Sequence, residues 1–135
     1  MPTVFSRIIE GELPARFVYT DDRCVAFLSI NPLRPGHTLV VPRVEVDHWI
    51  DLDPDEWRHL TRVAQGLAVA LQRAYEPAKV GMMLAGLEVP HTHIHLVPIN
   101  NVHDLDFGNA DPDPDPEELD KAAETVRAAV EALDD

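Results

Sequence analysis

Apolar and polar positions fall into a few sharply bounded stretches. With Thr3 as its N-cap, the side chains Val4, Phe5 and Ile8 recur at helical spacing, which predicts a short helix through about Ile9, ended by Gly11. Arg16 to Thr20 alternates as a strand does, Asp21-Asp22 makes a turn, and Cys24 to Ile30 reads as a second, largely buried strand. Asn31-Pro32 and Pro35-Gly36 break the chain before a third strand, His37 to Pro42, and so short a connection suggests antiparallel pairing. Lys79 to Ala85 is the next strand, and Gly86 to Pro90 leads tightly into His91 to Pro98, where polar and apolar side chains alternate.

Two helices complete the pattern. Asp53 as N-cap, Pro54 at the first helical position and Glu56 two residues on predict a capping box, with Leu52 and Trp57 placed for a hydrophobic staple. Trp57, Leu60, Ala64, Leu67 and Leu71 then form one apolar stripe up to Glu76-Pro77, a scaffold helix for one face of the sheet. Ile99 to Ala110 has no periodicity, and Asp111 to Pro116 alternates Asp with Pro as an extended spacer. Asp115, Pro116 and Glu118 repeat the capping arrangement ahead of Leu119, Ala122, Val126, Ala129, Val130 and Leu133, a stripe that needs a surface to dock on, its own sheet or a partner subunit. The fold class is α+β: an antiparallel sheet of about five strands with one long packed helix and an acidic C-terminal helix. The organisation expected is a main domain over residues 1–110 and a spacer with a peripheral helix over 111–135.

Charge narrows the partners. Of the net −13, residues 104–135 carry −10, 12 acids against Lys121 and Arg127, a balance that repels nucleic-acid polymers while allowing one small phosphate ester in a local pocket. A single cysteine, Cys24, forbids an intramolecular disulfide, and no apolar run reaches the ~18 residues of a membrane span. Met1-Pro2-Thr3 opens without the pattern of a signal peptide, so a cytoplasmic protein is expected.

The candidate chemistry lies in the alternating run. If extended, it puts His91, His93 and His95 on one face, roughly 6 to 7 Å apart, and Thr92, Ile94 and Leu96 on the other. Such a row can be a solvated face, a chelator of zinc or copper, or a nucleophile with its attendant proton donors. A neutral imidazole offers an unprotonated nitrogen near pH 7, which suits the third reading.

His91-Thr92-His93-Ile94-His95-Leu96-Val97 resembles the signature of the histidine triad family, with Thr92 the one polar stand-in for an apolar residue. Pro35-Gly36-His37-Thr38-Leu39-Val40-Val41-Pro42 resembles the strand that carries the family's fourth histidine, and Phe5-Ser6-Arg7-Ile8-Ile9 with Gly11-Glu12-Leu13-Pro14-Ala15 resembles its N-terminal segment. The matches span about residues 3 to 98. The resemblance implies a compact protein that pairs as a two-fold homodimer and a small-molecule, nucleotide-like substrate. It also implies attack by the middle histidine, His93, on the α-phosphorus of a nucleoside phosphoramidate or dinucleoside polyphosphate, and resolution of the nucleotidyl-histidine by water. His95 and His37 would contact the phosphate and handle protons, and His91 would hold the His93 ring. Val4, Phe5, Ile8, Phe27, Ile30 and Leu39 match the positions that enclose the base, with Ser29, Asn31, Glu88 and Val89 completing the nucleotide site.

Several positions depart from the family. Ser29 stands where an aspartate commonly takes both ribose hydroxyls, and one serine cannot make that bidentate pair. Leu87-Glu88-Val89-Pro90 replaces a Gly-Gln-Ser-Val type of segment, and the connection is about four residues shorter, so Glu88 sits where a neutral donor to phosphate is expected. Ile99 follows Pro98 in place of a frequent arginine. The family's zinc-binding version uses N-terminal cysteines and a histidine after the third strand. Ser6 and Glu45 occupy the nearest positions here, so no metal and no cofactor is expected at that place. The departures leave two other functions open: a phosphate- or nucleotide-binding or interaction dimer with little turnover, and metal sequestration by the histidines.

Overall fold

Among the described residues, each of the three α-helices starts on a short polar side chain that satisfies an otherwise unpaired amide. In the computed structural model, which describes residues 2–133, the Thr3 hydroxyl accepts from Ser6 N–H and opens α1 (Val4–Ile9). Asp53 accepts from Asp55 N–H and opens α2 (Pro54–Tyr75), and Asp115 accepts from Glu117 N–H and opens α3 (Pro116–Ala132). The capping box expected at Asp53 and Glu56 is not how this end is closed. The Asp53 side chain serves the second helical amide instead of the third, and Glu56 is drawn into a 2.8 Å ion pair with Arg23.

Five strands, β1 (Phe17–Thr20), β2 (Cys24–Leu28), β3 (Thr38–Pro42), β4 (Lys79–Met83) and β5 (Ile94–Ile99), form one antiparallel sheet in the order β1-β2-β3-β5-β4. Every residue of β2 and β3 is buried, because both faces are covered. Val18, Cys24, Ala26, Leu28, Val40, Ile94 and Leu96 pack with Leu60, Ala64, Leu67 and Leu71 of α2. Val25, Phe27, Leu39 and Val41 point the other way, onto Phe5 and Ile8 of α1.

The histidine strand differs from expectation in extent. β5 starts at Ile94 and runs through Pro98 to Ile99, so only His95 of the three lies within it. Its pairing with β3 stops at Val40↔Ile94. Upstream of that point, Thr92 turns aside to the segment after β3, where its N–H and hydroxyl both donate to the Val46 carbonyl at 2.7 and 2.8 Å. Pro98 is tolerated because β5 has already outrun β3 there, the last shared pair being Thr38↔Leu96.

The C-terminal helix α3 packs on the same core as α2. Ala122, Ala123 and Val126 of α3 belong to the same buried cluster as the α2 stripe, and Arg127 Nε donates to the Phe17 carbonyl at 2.7 Å. The Asp-Pro spacer is tied down as well: Asp111 N–H donates to the Pro32 carbonyl and Asn31 Nδ2 donates to the Asp111 carbonyl. Among the described residues, no helix is long and apolar enough to cross a membrane.

Candidate active site

The turn ahead of β3, the segment ahead of β5 and β5 itself bring four histidines to the α1 side of the sheet. Gly36 adopts φ +91°, and a Cβ there would lie 2.5 Å from the Tyr75 ring, so only glycine lets this turn deliver His37 to the start of β3. His95 is opposite Leu39 across the β3–β5 pairing. All four rings are nearly enclosed, with His93 at 6% and His95 at 9% exposure the most accessible.

Backbone groups fix which nitrogen of each ring carries the proton. Leu33 N–H donates to Nδ1 of His37 at 3.0 Å, so the neutral His37 ring bears its proton on Nε2 and donates it to Nδ1 of His95 at 2.9 Å. His95 therefore carries its own proton on Nε2. Nε2 of His91 faces the Pro42 carbonyl at 2.8 Å, which can only accept, so Nδ1 of His91 receives the Thr3 hydroxyl at 2.8 Å. Nδ1–H of His93 donates to the His91 carbonyl at 2.7 Å, which leaves a lone pair on Nε2. Among the described residues, no buried side-chain nitrogen or oxygen lacks a partner, so the two uncommitted Nε2 atoms, a lone pair on His93 and an N–H on His95, are the ones that reach the open site. Their rings lie 4.9 Å apart.

Burial holds all four imidazoles neutral. Desolvation, with a neighbouring imidazole adding to it, pulls His37 down to about 4 and His95 down to about 3. His91 and His93 are also lowered by burial. The Pro42 carbonyl and the Glu45 charge partly oppose this at His91, and the His91 carbonyl and the Glu88 charge do so at His93. A histidine protonates near 6.5 in the unfolded chain but not in the fold, so the unfolded state binds more protons below that pH and gains at the expense of the native one. Urea unfolding is therefore expected to show a midpoint that is flat from about pH 8 to 6.5 and falls steadily below, before the carboxylates contribute. A midpoint unchanged down to about pH 5 would mean that the rings are charged in the native state.

The structure gathers most, though not all, of the expected nucleotide residues. Phe5, Ile8, Phe27 and Leu39 form one buried cluster with Val89 packed against it, and Phe5 meets the His93 ring edge-on at 4.9 Å. Val4 and Ile30 are exposed, at 41% and 70%, and stand outside that cluster. Ser29 already accepts from Asn31 N–H at 3.2 Å, and its hydroxyl hydrogen remains to donate once. Glu88 is exposed, and its charge is felt at His93.

Three contributions were not foreseen. Thr3 was expected only as a helix cap, but its hydroxyl also orients His91 from 88 residues away. Ser6 and Glu45 meet through a hydrogen bond of 2.7 Å, and the same carboxylate oxygen accepts from Thr3 N–H at 2.7 Å, bracing that cap. Phe107, in the stretch without periodicity, packs edge-to-face with His95, the ring centroids 5.1 Å apart. No pattern in the sequence announces these contacts, because each joins an isolated side chain to a distant partner.

Comparison with known proteins gives one family throughout. The HIT domain model matches residues 10–102. A HIT-like protein of Methanocaldococcus jannaschii is 35% identical over 99 residues, covering 70% of this chain and 77% of the relative. One of Borreliella burgdorferi is 37% identical over 102 residues, 70% of this chain and 73% of the relative. Among solved structures, a zinc-bound histidine triad family protein from Mycobacterium smegmatis superposes with a TM-score of 0.83 at 28% identity, over 97% of this chain and 94% of the other. A HIT-like protein from Bartonella henselae involved in cell-cycle regulation gives 0.81 at 28% identity, over 94% and 95%.

Proposed function

The chain belongs to the HIT domain family, and we propose that it cleaves a phosphorus bond of a nucleoside phosphoramidate or a similar nucleotide-like phosphate ester through a covalent intermediate on His93. The observation that carries this reading is the hydrogen bond from Nδ1–H of His93 to the His91 carbonyl, because it fixes the single proton of the neutral ring on Nδ1 and leaves the Nε2 lone pair uncommitted. In the first step the Nε2–P bond forms, the bond from phosphorus to the leaving nitrogen or oxygen breaks, and the leaving group departs with a proton taken from solvent, to which the attacking water returns one in the second step. Water then attacks the same phosphorus, a P–O bond replaces the P–Nε2 bond, and the nucleotide is released. Nε2–H of His95 donates to a phosphoryl oxygen, and the His37 ring behind it fixes that donor's direction. Phe5, Ile8, Phe27, Leu39 and Val89 form the apolar floor for the base, flanked by Val4 and Ile30, with Ser29 and Asn31 toward the ribose. Intact-protein mass spectrometry after mixing with adenosine and guanosine phosphoramidates tests the reading. A nucleotidyl adduct supports it, and binding without any adduct favours the alternative of a nucleotide-binding dimer that does not turn over.

Glu88 tunes the site. Its charge opposes an incoming phosphate, and its exposure keeps that opposition modest and salt-sensitive. Glu88→Ser is expected to raise kcat/KM for a nucleoside phosphoramidate about tenfold at low salt, equivalent to ~1.4 kcal/mol. A fall on the same substitution would point to a substrate that is not a nucleotide.

For assembly, we read the chain as a homodimer joined at β4. That strand is an edge of the sheet and carries Met82 at 61% exposure, whereas α3 contacts the opposite edge strand, β1. Sedimentation velocity is expected to give the dimer mass, and a monomer at micromolar concentration would remove this part of the reading.

A further inference from the structure

Across the sheet from the four histidines, on its α2 side, three chemically different donors meet: a carboxylate oxygen of Asp21, the Cys24 sulfur and a ring nitrogen of His59 all lie within 4.8 Å of one another. We propose that this triplet is a binding site for a divalent ion of the zinc type, held by Oδ2 of Asp21, the Cys24 thiolate and Nε2 of His59, with water on the open side.

Oxygen, nitrogen and sulfur from Asp, His and Cys are the ligands zinc takes, at about 2.0 to 2.3 Å, which places neighbouring donors of a tetrahedron roughly 3.3 to 3.6 Å apart. Cys24 Sγ stands 3.7 Å from Asp21 Oδ2, already near that separation. His59 Nε2 lies 2.7 Å from the same oxygen, held by a hydrogen bond, so a small swing of the His59 ring opens the space. The carboxylate needs no rearrangement. Its Oδ1 accepts from Arg23 N–H at 2.7 Å and from Cys24 N–H at 2.8 Å, so the turn between β1 and β2 fixes its orientation, and the Tyr19 hydroxyl donates to Oδ2 at 2.7 Å. Outer hydrogen bonds of this kind orient the ligands in protein metal sites.

Charge and access fit as well. A thiolate and a carboxylate neutralise a doubly charged ion, the balance that a half-buried site tolerates. The two nearby cations are engaged elsewhere, Arg23 with Glu56 at 2.8 Å and Arg43 with the Asp21 carbonyl at 2.7 Å. Cys24 is buried, while the His59 and Asp21 side chains keep 24% and 22% exposure and offer the ion its entrance. On binding, the S–H bond breaks and an S–metal bond forms, with one proton passing to water. A neutral His59 keeps its single proton by moving it from Nε2 to Nδ1.

Cobalt(II) alone is the probe, added to the intact chain with absorbance recorded. A thiolate-to-cobalt charge-transfer band that saturates at one ion per chain, is bleached by zinc, is lost in His59→Gln and persists in His93→Ala would support the site. His59→Gln retains the fold because the side chain is partly exposed, and the melting temperature of each variant checks this directly. No charge-transfer band at saturating cobalt, a band undiminished by His59→Gln, or one abolished by His93→Ala would overturn the proposal. None of these outcomes depends on catalysis by His93.

Discussion

His93→Ala is expected to lower turnover of a nucleoside phosphoramidate by several orders of magnitude while leaving its binding largely intact. The nitrogen lone pairs of the other rings are already committed. Both nitrogens of His37 are engaged, by Leu33 N–H and by His95, and both of His91, by Thr3 and the Pro42 carbonyl. The free nitrogen of His95 carries a proton, because its Nδ1 is the acceptor of the pair with His37. Of the four, only His93 presents a lone pair, so no neighbour can replace it as the attacking atom. His95→Ala removes one donor to the phosphate and is expected to cost about 100- to 1,000-fold, the usual scale for one such hydrogen bond. Single-turnover kinetics with adduct detection separates these cases. A His93→Ala protein that still turns over within about tenfold of the parent would sink the covalent route.

Deleting residues 111–135 is expected to abolish cooperative folding. Leu119, Ala122, Ala123 and Val126 are buried, the last three in the cluster built by Leu60, Leu67 and Leu71 with Val18 and Cys24. Each large aliphatic side chain returned to water costs about 1.5 to 3 kcal/mol, and the α2 and β1 side chains beneath α3 are exposed at the same time. The total is of the order of the 5 to 15 kcal/mol that holds a domain folded. The deletion also breaks the 2.8 Å pair between Arg16 and Asp120. Thermal unfolding followed by circular dichroism decides the matter. A sharp transition near that of the full chain would show that residues 1–110 suffice, as the Asp-Pro spacer suggests when read in isolation.

What could be read in advance was what is local. The caps at Thr3, Asp53 and Asp115, the α2 stripe and the alternation around His95 each depend on residues a few positions apart, and the structure has them. Where a partner lies far along the chain, local pattern does not reveal it. Alternation through His91 and Thr92 looked like strand, but the Val46 carbonyl captures Thr92 and ends the pairing early. The proline-rich spacer looked like a detached linker, yet the Pro32 carbonyl and Asn31 fasten it to the loop before β3. Asp21 lies in the β1–β2 turn, Cys24 in β2 and His59 in α2, so the meeting of all three has no signature in the chain.

The groups that set the direction of the histidine hydrogen bonds are mostly peptide groups: Leu33 N–H, the Pro42 carbonyl and the His91 carbonyl. An alanine scan leaves all three in place, since every residue has a carbonyl and every residue except proline has an N–H. Position 33 can therefore vary in side chain as its burial allows, while proline there would delete the donor to His37 and leave the order of donation toward His95 unfixed. Most of what orients this site is thus hidden from side-chain mutagenesis, and backbone amide-to-ester replacement at residue 33 is the chemistry that reaches its amide donor.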